Sequence, residues 1–343
     1  MKYLVFADFH FSGRDSQFID DEYFYPAKTY IKTKIFEEAL QNFPKQDKKI
    51  CIISGDIFHE KDYVHASSLK LFCHVISTFT DWTFYLLVGN HDVSDKSKSP
   101  ISLLSFLKEL PGLNHVHILE SGEYEIINQR ILLLPWCKDI EETLSEIVEN
   151  NPQVNVLISH LGVNEAQLSS GKCGVDKITF QSLSQQFKTI VLGHYHKPQE
   201  LSNDKSQLVY IGSCIQENWG EAGEDKRYVI YDDETNDIKF IENKNYPKFM
   251  VHIAETVDEV KNVLKGHDSF NHLKIKTNTV EVKDYCTAND ILCVLNRVKS
   301  DAQELLRTID SDGQNIYNEY LKLQDVNDQE TEKYMEVLRK IQT

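Results

Sequence analysis

Five short polar clusters each follow directly on an apolar run: Asp8-Phe9-His10, Ser54-Gly55-Asp56, Gly89-Asn90-His91-Asp92, Ser159-His160 and Gly193-His194-Tyr195-His196. Any one of them alone fits a polar turn or a strand-end cap with ordinary hydrogen-bonded histidines. Together they offer the carboxylates of Asp8 and Asp56, the amide oxygen of Asn90, and the imidazoles of His10, His160, His194 and His196. That set exceeds what one tetrahedral ion takes. It suits two ions of higher coordination number that share a carboxylate. Imidazole mixed with carboxylate favours Mn, Fe or Zn over Ca, which prefers oxygen alone. A pair of such ions about 3.5–4 Å apart polarises a phosphoryl oxygen and acidifies water, so the chemistry implied is phosphoester hydrolysis.

The elements that must position these groups are short, Val- and Ile-rich strands. Tyr3 to Ala7, Ile50 to Ile53, Phe84 to Val88, Val154 to Ile158 and Thr189 to Leu192 are apolar runs bounded by Gly and polar residues, the signature of buried strands. Open α/β sheets collect ligands beyond the carboxyl ends of their strands, and all five clusters sit there. Helical spacing is predicted over 31–43 (Ile35, Ala39, Leu40, Phe43), 65–79 (Leu69, Phe72, Cys73, Ile76, Phe79), 101–110 behind Pro100, and 139–150. A β–α–β order at the start favours parallel pairing. Residues 12–30 read as a surface loop, and 115–119, 124–127, 130–134, 208–213, 227–231 and 238–241 as strands. Near Tyr246-Pro247 the texture changes. A strand from Phe249 to Ala254, a helix over 256–265, a strand over 273–277 and a long helix from 288 to about 309 make a small α/β module. Residues 328–342 put Tyr334, Val337, Leu338 and Ile341 on one helical face behind an Asn327-x-x-Glu330 capping box. The expected fold class is α/β: a two-sheet αββα sandwich over 1–246, a small C-terminal capping domain over 247–310, and a linker with a terminal amphipathic helix over 311–343.

The chain has 343 residues, 41% of them hydrophobic and 10% aromatic, which suits ordinary globular domains. Its net charge of −16 argues against a broad nucleic-acid-coating surface or an anionic membrane partner. A local nucleic-acid site remains compatible, because bound cations invert the field around them. The seven cysteines are odd in number, scattered and free of Cys-x-x-Cys pairs, so buried thiols in a reducing compartment are expected. Asp8 and His10 cut the first apolar stretch too short for an export segment. No run reaches the roughly 18 apolar residues of a membrane span. A cytoplasmic location is the expectation, within a host if the chain is phage-encoded.

The order Asp-x-His, Gly-Asp, Gly-Asn-His-Asp, a lone His and Gly-His-x-His resembles the calcineurin-like metallophosphoesterases. Gly55-Asp56-Ile57-Phe58-His59 resembles the nuclease branch of that family, the SbcD-type subunit of the SbcC–SbcD DNA repair complex. The length is similar to that of the recombination nuclease subunits of large tailed phages. The resemblance covers residues 1 to about 245. It implies that Asp8, His10, Asp56 and His196 hold a first metal and Asp56, Asn90, His160 and His194 a second, with Asp56 bridging. It also implies that His91 faces the scissile phosphate, where it stabilises developing charge and protonates the leaving oxygen, that Asp92 orients His91, and that His59 is a second phosphate-facing imidazole. Manganese is the family's usual metal, with Mg, Fe or Zn as alternatives, and its nucleases act as exonucleases and endonucleases. Ser12, with Gly13 after it, stands where the family often has Gly, and Cys214 follows Ser213 where Pro is common; these departures concern loop shape rather than ligands.

DNA is the implied substrate, with Lys96, Lys98, Lys138 and Lys172 as candidate backbone contacts in loops near the metal edge. The resemblance further implies an SbcC-like, Rad-type ATPase partner docking on the C-terminal helix, and a homodimer through the helices near 65–79 and 101–110. Rival readings on the same residues are a phosphatase or cyclic-nucleotide phosphodiesterase, a metal-dead scaffold, and a DNA-end tether.

Overall fold

The computed structural model describes residues 1–13, 25–46, 48–94, 102–174, 176–269 and 271–295. In chain order its elements begin with β1 (Lys2–Phe6), α1 (Ala27–Gln41), β2 (Lys49–Ser54), α2 (Ala66–Thr78), β3 (Trp82–Leu87), β4 (Val116–Leu119), β5 (Glu125–Ile127) and β6 (Ile131–Leu134). They continue through α3 (Ile140–Asn150), β7 (Val156–His160), α4 (Phe180–Leu183), β8 (Thr189–Gly193), β9 (Gln199–Ser202), β10 (Gln207–Tyr210), β11 (Arg227–Asp232) and β12 (Asp237–Glu242). Last come β13 (Phe249–Ile253), α5 (Val257–Gly266), β14 (His272–Thr277), α6 (Val280–Ala288) and β15 (Cys293–Leu295).

Two six-stranded mixed sheets form, in the orders β12-β11-β1-β2-β3-β4 and β5-β6-β7-β8-β10-β9. Strand alternation explains why both faces are apolar. Leu4 and Phe6, Cys51 and Ile53, and Phe84 and Leu86 share one core with Phe36, Phe72 and Val75 of α1 and α2. Their alternates Tyr3, Val5, Ile50 and Ile52 point the other way and meet Val156, Ile158 and Val191 of the second sheet. The outer face of that sheet packs Leu157, Ile190 and Leu192 against Leu144, Ile147 and Leu183. Strands buried on both sides read as continuous apolar runs, and parallel pairing requires such cover. The result is an αββα sandwich. β1–β2–β3–β4 and β6–β7–β8 run parallel within their sheets, so the carboxyl ends of each set open on one edge.

The described residues divide into two compact units, Met1–Met250 with Asp268–His272, and Val251–His267 with those from Leu273 onward. The three-stranded sheet β13-β14-β15 is covered by α5 and α6 through Val260, Ile275, Val282 and Cys286. Thr256 and Glu259 cap α5 reciprocally.

Several expectations change. The apolar run 101–110 makes only a 3₁₀ turn over Ser105–Glu109; Leu104 and Leu107 are buried at a spacing of three, the period of that tighter helix. The stretch taken as loop up to residue 30 already turns helical at Ala27. Where a helix is expected from 288, residues 288–295 instead end α6 at Ala288, turn with Asp290 in left-handed backbone and enter β15, while the rest of that expected helix lies outside the described residues. The polar strand β9 has no apolar signature and was not expected. The proposed terminal helix at 328–342 lies outside the described residues. Among the described residues, no helix is long and apolar enough to cross a membrane.

Candidate metal centre

Each candidate ligand lies where a strand of the sandwich ends. Asp8 and His10 follow β1, Asp56 follows β2, Asn90 and His91 follow β3, His160 closes β7, and His194 and His196 follow β8. The backbone there is unusual. Asp8 (φ 50°), His10 (φ 46°), Asp56 (φ 51°) and His194 (φ 102°) all lie at positive φ, a conformation that costs non-glycine residues about 1–3 kcal/mol each. The neighbouring chain over-determines it. Asp8 N donates to Gly55 O (3.1 Å), His10 N to Asp56 O (2.9 Å) and Phe11 N to Ile57 O (2.8 Å). Glycines make room for the side chains: a Cβ on Gly55 would lie 2.2 Å from Nδ1 of His160, and one on Gly89 2.2 Å from the backbone nitrogen of Asp56.

The side chains converge as three groups. Asp8, His10 and His196 offer ligand atoms within 4.8 Å of one another, and so do Asp8, Asp56 and His160, and His10, His59 and His91. Asp56 links the first two groups, with Oδ2 3.5 Å from His10 Nε2 and Oδ1 3.4 Å from His160 Nε2. Asn90 Oδ1 lies 3.0 Å from both His160 Nε2 and His194 Nδ1. His10 Nε2 and His196 Nε2 face each other at 2.9 Å.

Tautomers test whether cations fit. His160 Nδ1 faces the carbonyl of Ser54 at 2.9 Å, so in the neutral ring that nitrogen carries the hydrogen and donates. Its Nε2 lone pair is left pointing at the oxygens of Asp56 and Asn90, a meeting of acceptors with no proton between them. His196 repeats the pattern. Its Nδ1 donates to Glu221 Oε1 at 3.0 Å, leaving the Nε2 lone pair toward His10. An imidazole whose far nitrogen is held by a carboxylate or carbonyl is the usual form of a metal-ligating histidine, and convergent lone pairs are what a divalent cation satisfies.

Without cations the same crowding displaces the titrations. Burial raises Asp8 to about 6, although His160 and His196 pull it down. Burial, helped by the charge of Asp56, raises Asp92 to about 7. Burial drives His10 well below the imidazole range, and burial with the nearby His160 takes His194 to about 4. For His160 burial is outweighed by Asp56 and Asp8, and for His196 by Glu221 and Asp8, so both move upward.

The residues expected to do chemistry are placed as follows. His91 stands beside His10, ring centroids 4.9 Å apart, and its Nδ1 lies 2.9 Å from the main-chain oxygen of His59. His59 is exposed, stacks on His91 at 5.6 Å, and has Nδ1 3.3 Å from Nδ1 of His10. Asp92 does not orient His91. It is fully buried and accepts from the backbone of Ile57 (3.2 Å), Phe58 (2.9 Å) and Gly89 (2.9 Å), stapling two ligand-bearing loops together. Of the lysines, Lys138 lines a cleft that reaches His194. Lys172 is exposed in the loop after β7 and does not line that cleft. Lys96 and Lys98 lie outside the described residues.

Sequence reasoning missed the supports. Lys32 and Lys226, 1% and 0% exposed, donate to the main-chain oxygens of His10 (2.9 Å) and His196 (2.8 Å). Each is paired, Lys32 with Glu217 at 2.5 Å and Lys226 with Glu221 and Glu224 at 2.7 Å. Glu221, buried yet held down to about 2 by His196 and Lys226 against the pull of burial, joins an imidazole to an ammonium. No periodicity marks these residues: Lys226 stands in the charged run Glu224-Asp225-Lys226-Arg227, and Lys32 lies between Thr29 and Lys34 in a stretch that is mostly polar.

Among solved structures, the chain is similar to an archaeal phosphodiesterase (14% identity, 71% of this chain and 100% of that one, TM-score 0.36). It is also similar to a putative 5'-nucleotidase from Staphylococcus aureus (14% identity, 77% and 58%, TM-score 0.38). A third is GAP50, the anchor in the inner membrane complex of Plasmodium (10% identity, 71% and 85%, TM-score 0.44). Residues 1–198 match the family model of the calcineurin-like phosphoesterases, and with the sandwich and its paired Asp/His groups described, this chain belongs to that family of metal-dependent phosphoester hydrolases.

Proposed function

We propose that the chain is a DNA nuclease, an exonuclease with endonuclease capability, acting as the nuclease subunit of an SbcC–SbcD-like recombination and repair complex. The observation that carries this reading is the stacked His59–His91 pair, two imidazoles whose ring nitrogens gather with one of His10 beside the Asp8 and Asp56 groups. A DNA diester leaves as a sugar alkoxide, a poor leaving group that needs a proton, and an imidazole at the mouth supplies one.

Asp8, His10, Asp56 and His196 would hold one divalent ion and Asp56, Asn90, His160 and His194 the other, manganese being the first choice. When bound, such ions supply Lewis acidity toward the phosphoryl oxygen and lower the pKa of water. The protein's own part is orientation and proton transfer. With its Nδ1 held by the carbonyl of His59, His91 keeps Nε2 for the substrate. In its charged form it stabilises the developing negative charge and gives the Nε2 proton to the leaving oxygen. His59 holds the ring of His91 from behind by stacking.

Labelled linear and nicked duplexes with manganese test this. Wild type should shorten or nick them, and His91→Ala should keep its metals yet lose ~10²–10⁴-fold in rate. Turnover of a small phosphodiester with no cut in either duplex would instead favour the phosphodiesterase rival. The ATPase partner, the C-terminal docking segment and the homodimer belong to the same proposal. Deleting 327–343 should abolish ATPase binding, and light scattering should give a dimer.

A further inference from the structure

Beside His194 lies a cleft of about 400 Å³ between the start of α3 and the chain after β7. Trp136, Leu161 and Ile178 give it apolar walls, and Trp136 is fixed in place by its backbone N–H, which donates to Val88 O at 2.8 Å just ahead of the Gly89–Asp92 turn. The remaining lining is unbalanced in charge: Asp139, Glu141, Glu142 and Asp176 face Lys138 and Lys177. Asp176 is built in, bonded to the Tyr195 hydroxyl and covered by Gly162 and Gly174, where any Cβ would strike it. An anion is therefore repelled from the body of the cleft and favoured only at its His194 end, where the cation site begins. A flat, uncharged group carrying N–H donors has the opposite preference: it stacks on indole and donates to carboxylate.

We propose that this cleft is the nucleobase subsite of the enzyme: it takes the base of the nucleotide whose phosphate lies at the metal centre, stacked on Trp136, with Asp176 accepting from the base edge. The volume falls in the range of small-ligand pockets, about 300–1,000 Å³. Base stacking on an aromatic side chain contributes about 1–3 kcal/mol and tolerates every base, which fits an enzyme that does not read sequence. This subsite rests on the nucleic-acid reading above.

The test uses no DNA, so the two readings fail separately. Dissociation constants of deoxynucleoside 5'-monophosphates and of 2-deoxyribose 5-phosphate are measured by calorimetry with manganese present. Wild type should prefer the nucleotides by about 10-fold, and Trp136→Ala should bring that ratio close to one. Trp136 should also report directly by fluorescence, since Trp82 is buried and Trp219 packs against Phe249. Nucleotides, unlike the abasic sugar phosphate, should quench wild type, and the quench should vanish in Trp136→Phe, which keeps a stacking ring and the fold. Equal affinity for nucleotide and abasic phosphate in wild type overturns the proposal, as does a quench that survives in Trp136→Phe. A chain that passes this test but leaves duplex DNA intact keeps its base pocket and loses the nuclease assignment.

Discussion

Two kinds of residue surround the metal centre: those that converge on it and those that hold them there. Glu221 is the clearest of the second kind, since one of its oxygens meets His196 Nδ1 and the other meets Lys226. Carboxylates in that position typically carry 10- to 100-fold of metal affinity. Glu221→Gln should therefore weaken one of two manganese sites by that order and spare the other, a split that calorimetric titration resolves; equal loss at both sites would refute the placement. Asp92 yields a different signature. Removing its carboxylate in Asp92→Ala orphans three buried N–H groups at about 1–3 kcal/mol each, so thermal unfolding, rather than turnover alone, should register the change. Residue types and order were enough to nominate Asp8, His10, Asp56, Asn90, His160, His194 and His196 as neighbours. The partner of Asp92 was illegible, because a carboxylate next to a histidine in sequence faces the opposite way once the turn closes.

Among the elements, the central strands were legible because alternation and apolar runs dictate them, and their ends were legible because Gly, Asp and His interrupt the runs. What failed was local. The 101–110 stretch carries apolar residues at helical intervals, yet Ser105–Glu109 settles as a 3₁₀ turn packed on the first sheet's core, with Leu104 and Leu107 buried three apart. β9 is polar, paired on one side only, and carries no pattern to read. Asn289-Asp290 breaks a helix that composition alone would extend. The strand-end glycines make the element-scale prediction. Gly55 sits at φ +84° with the His160 ring 2.2 Å from a hypothetical Cβ, so Gly55→Ala must both strain the turn and push His160 aside. It should lower the melting temperature and the bound metal content together, measured by calorimetry and elemental analysis of one preparation. A variant with full metal content would show that the turn has more room than its geometry indicates.

Far from the metal edge, the two sheets of the first unit are joined at the start of β1. Asn128 Nδ2 donates to Asp233 Oδ2 (2.9 Å) and the Tyr3 hydroxyl to the same oxygen (3.1 Å), while Arg130 reaches the Asp233 carbonyl (3.1 Å) and Asn236 (2.8 Å). Burial alone would raise Asp233; the N-terminal amine, Asn128 and Tyr3 outweigh it and hold the carboxyl below its ordinary range. A depressed carboxylate stabilises the fold above its unfolded value, about 3.9, and loses that contribution as pH falls through the lower folded value. Denaturation between about pH 5 and pH 2 should accordingly be shallower for Asp233→Asn than for wild type. At the opposite edge, divalent ions bind the folded chain in preference to the unfolded one. Saturating manganese should add about 2.7 kcal/mol at one hundred times the dissociation constant, and a chelator should remove it.

Because peptide hydrogen bonds from Asp8, His10 and Phe11 to the 55–57 turn fix the left-handed corners of the cradle, its aperture is a property of the polypeptide rather than of the guest. A rigid ring of mixed nitrogen and oxygen donors sorts ions by radius. Calcium, which wants oxygen contacts at about 2.3–2.6 Å and a pliable shell, should rank last among divalent ions in raising the melting temperature, behind smaller ions that tolerate imidazole.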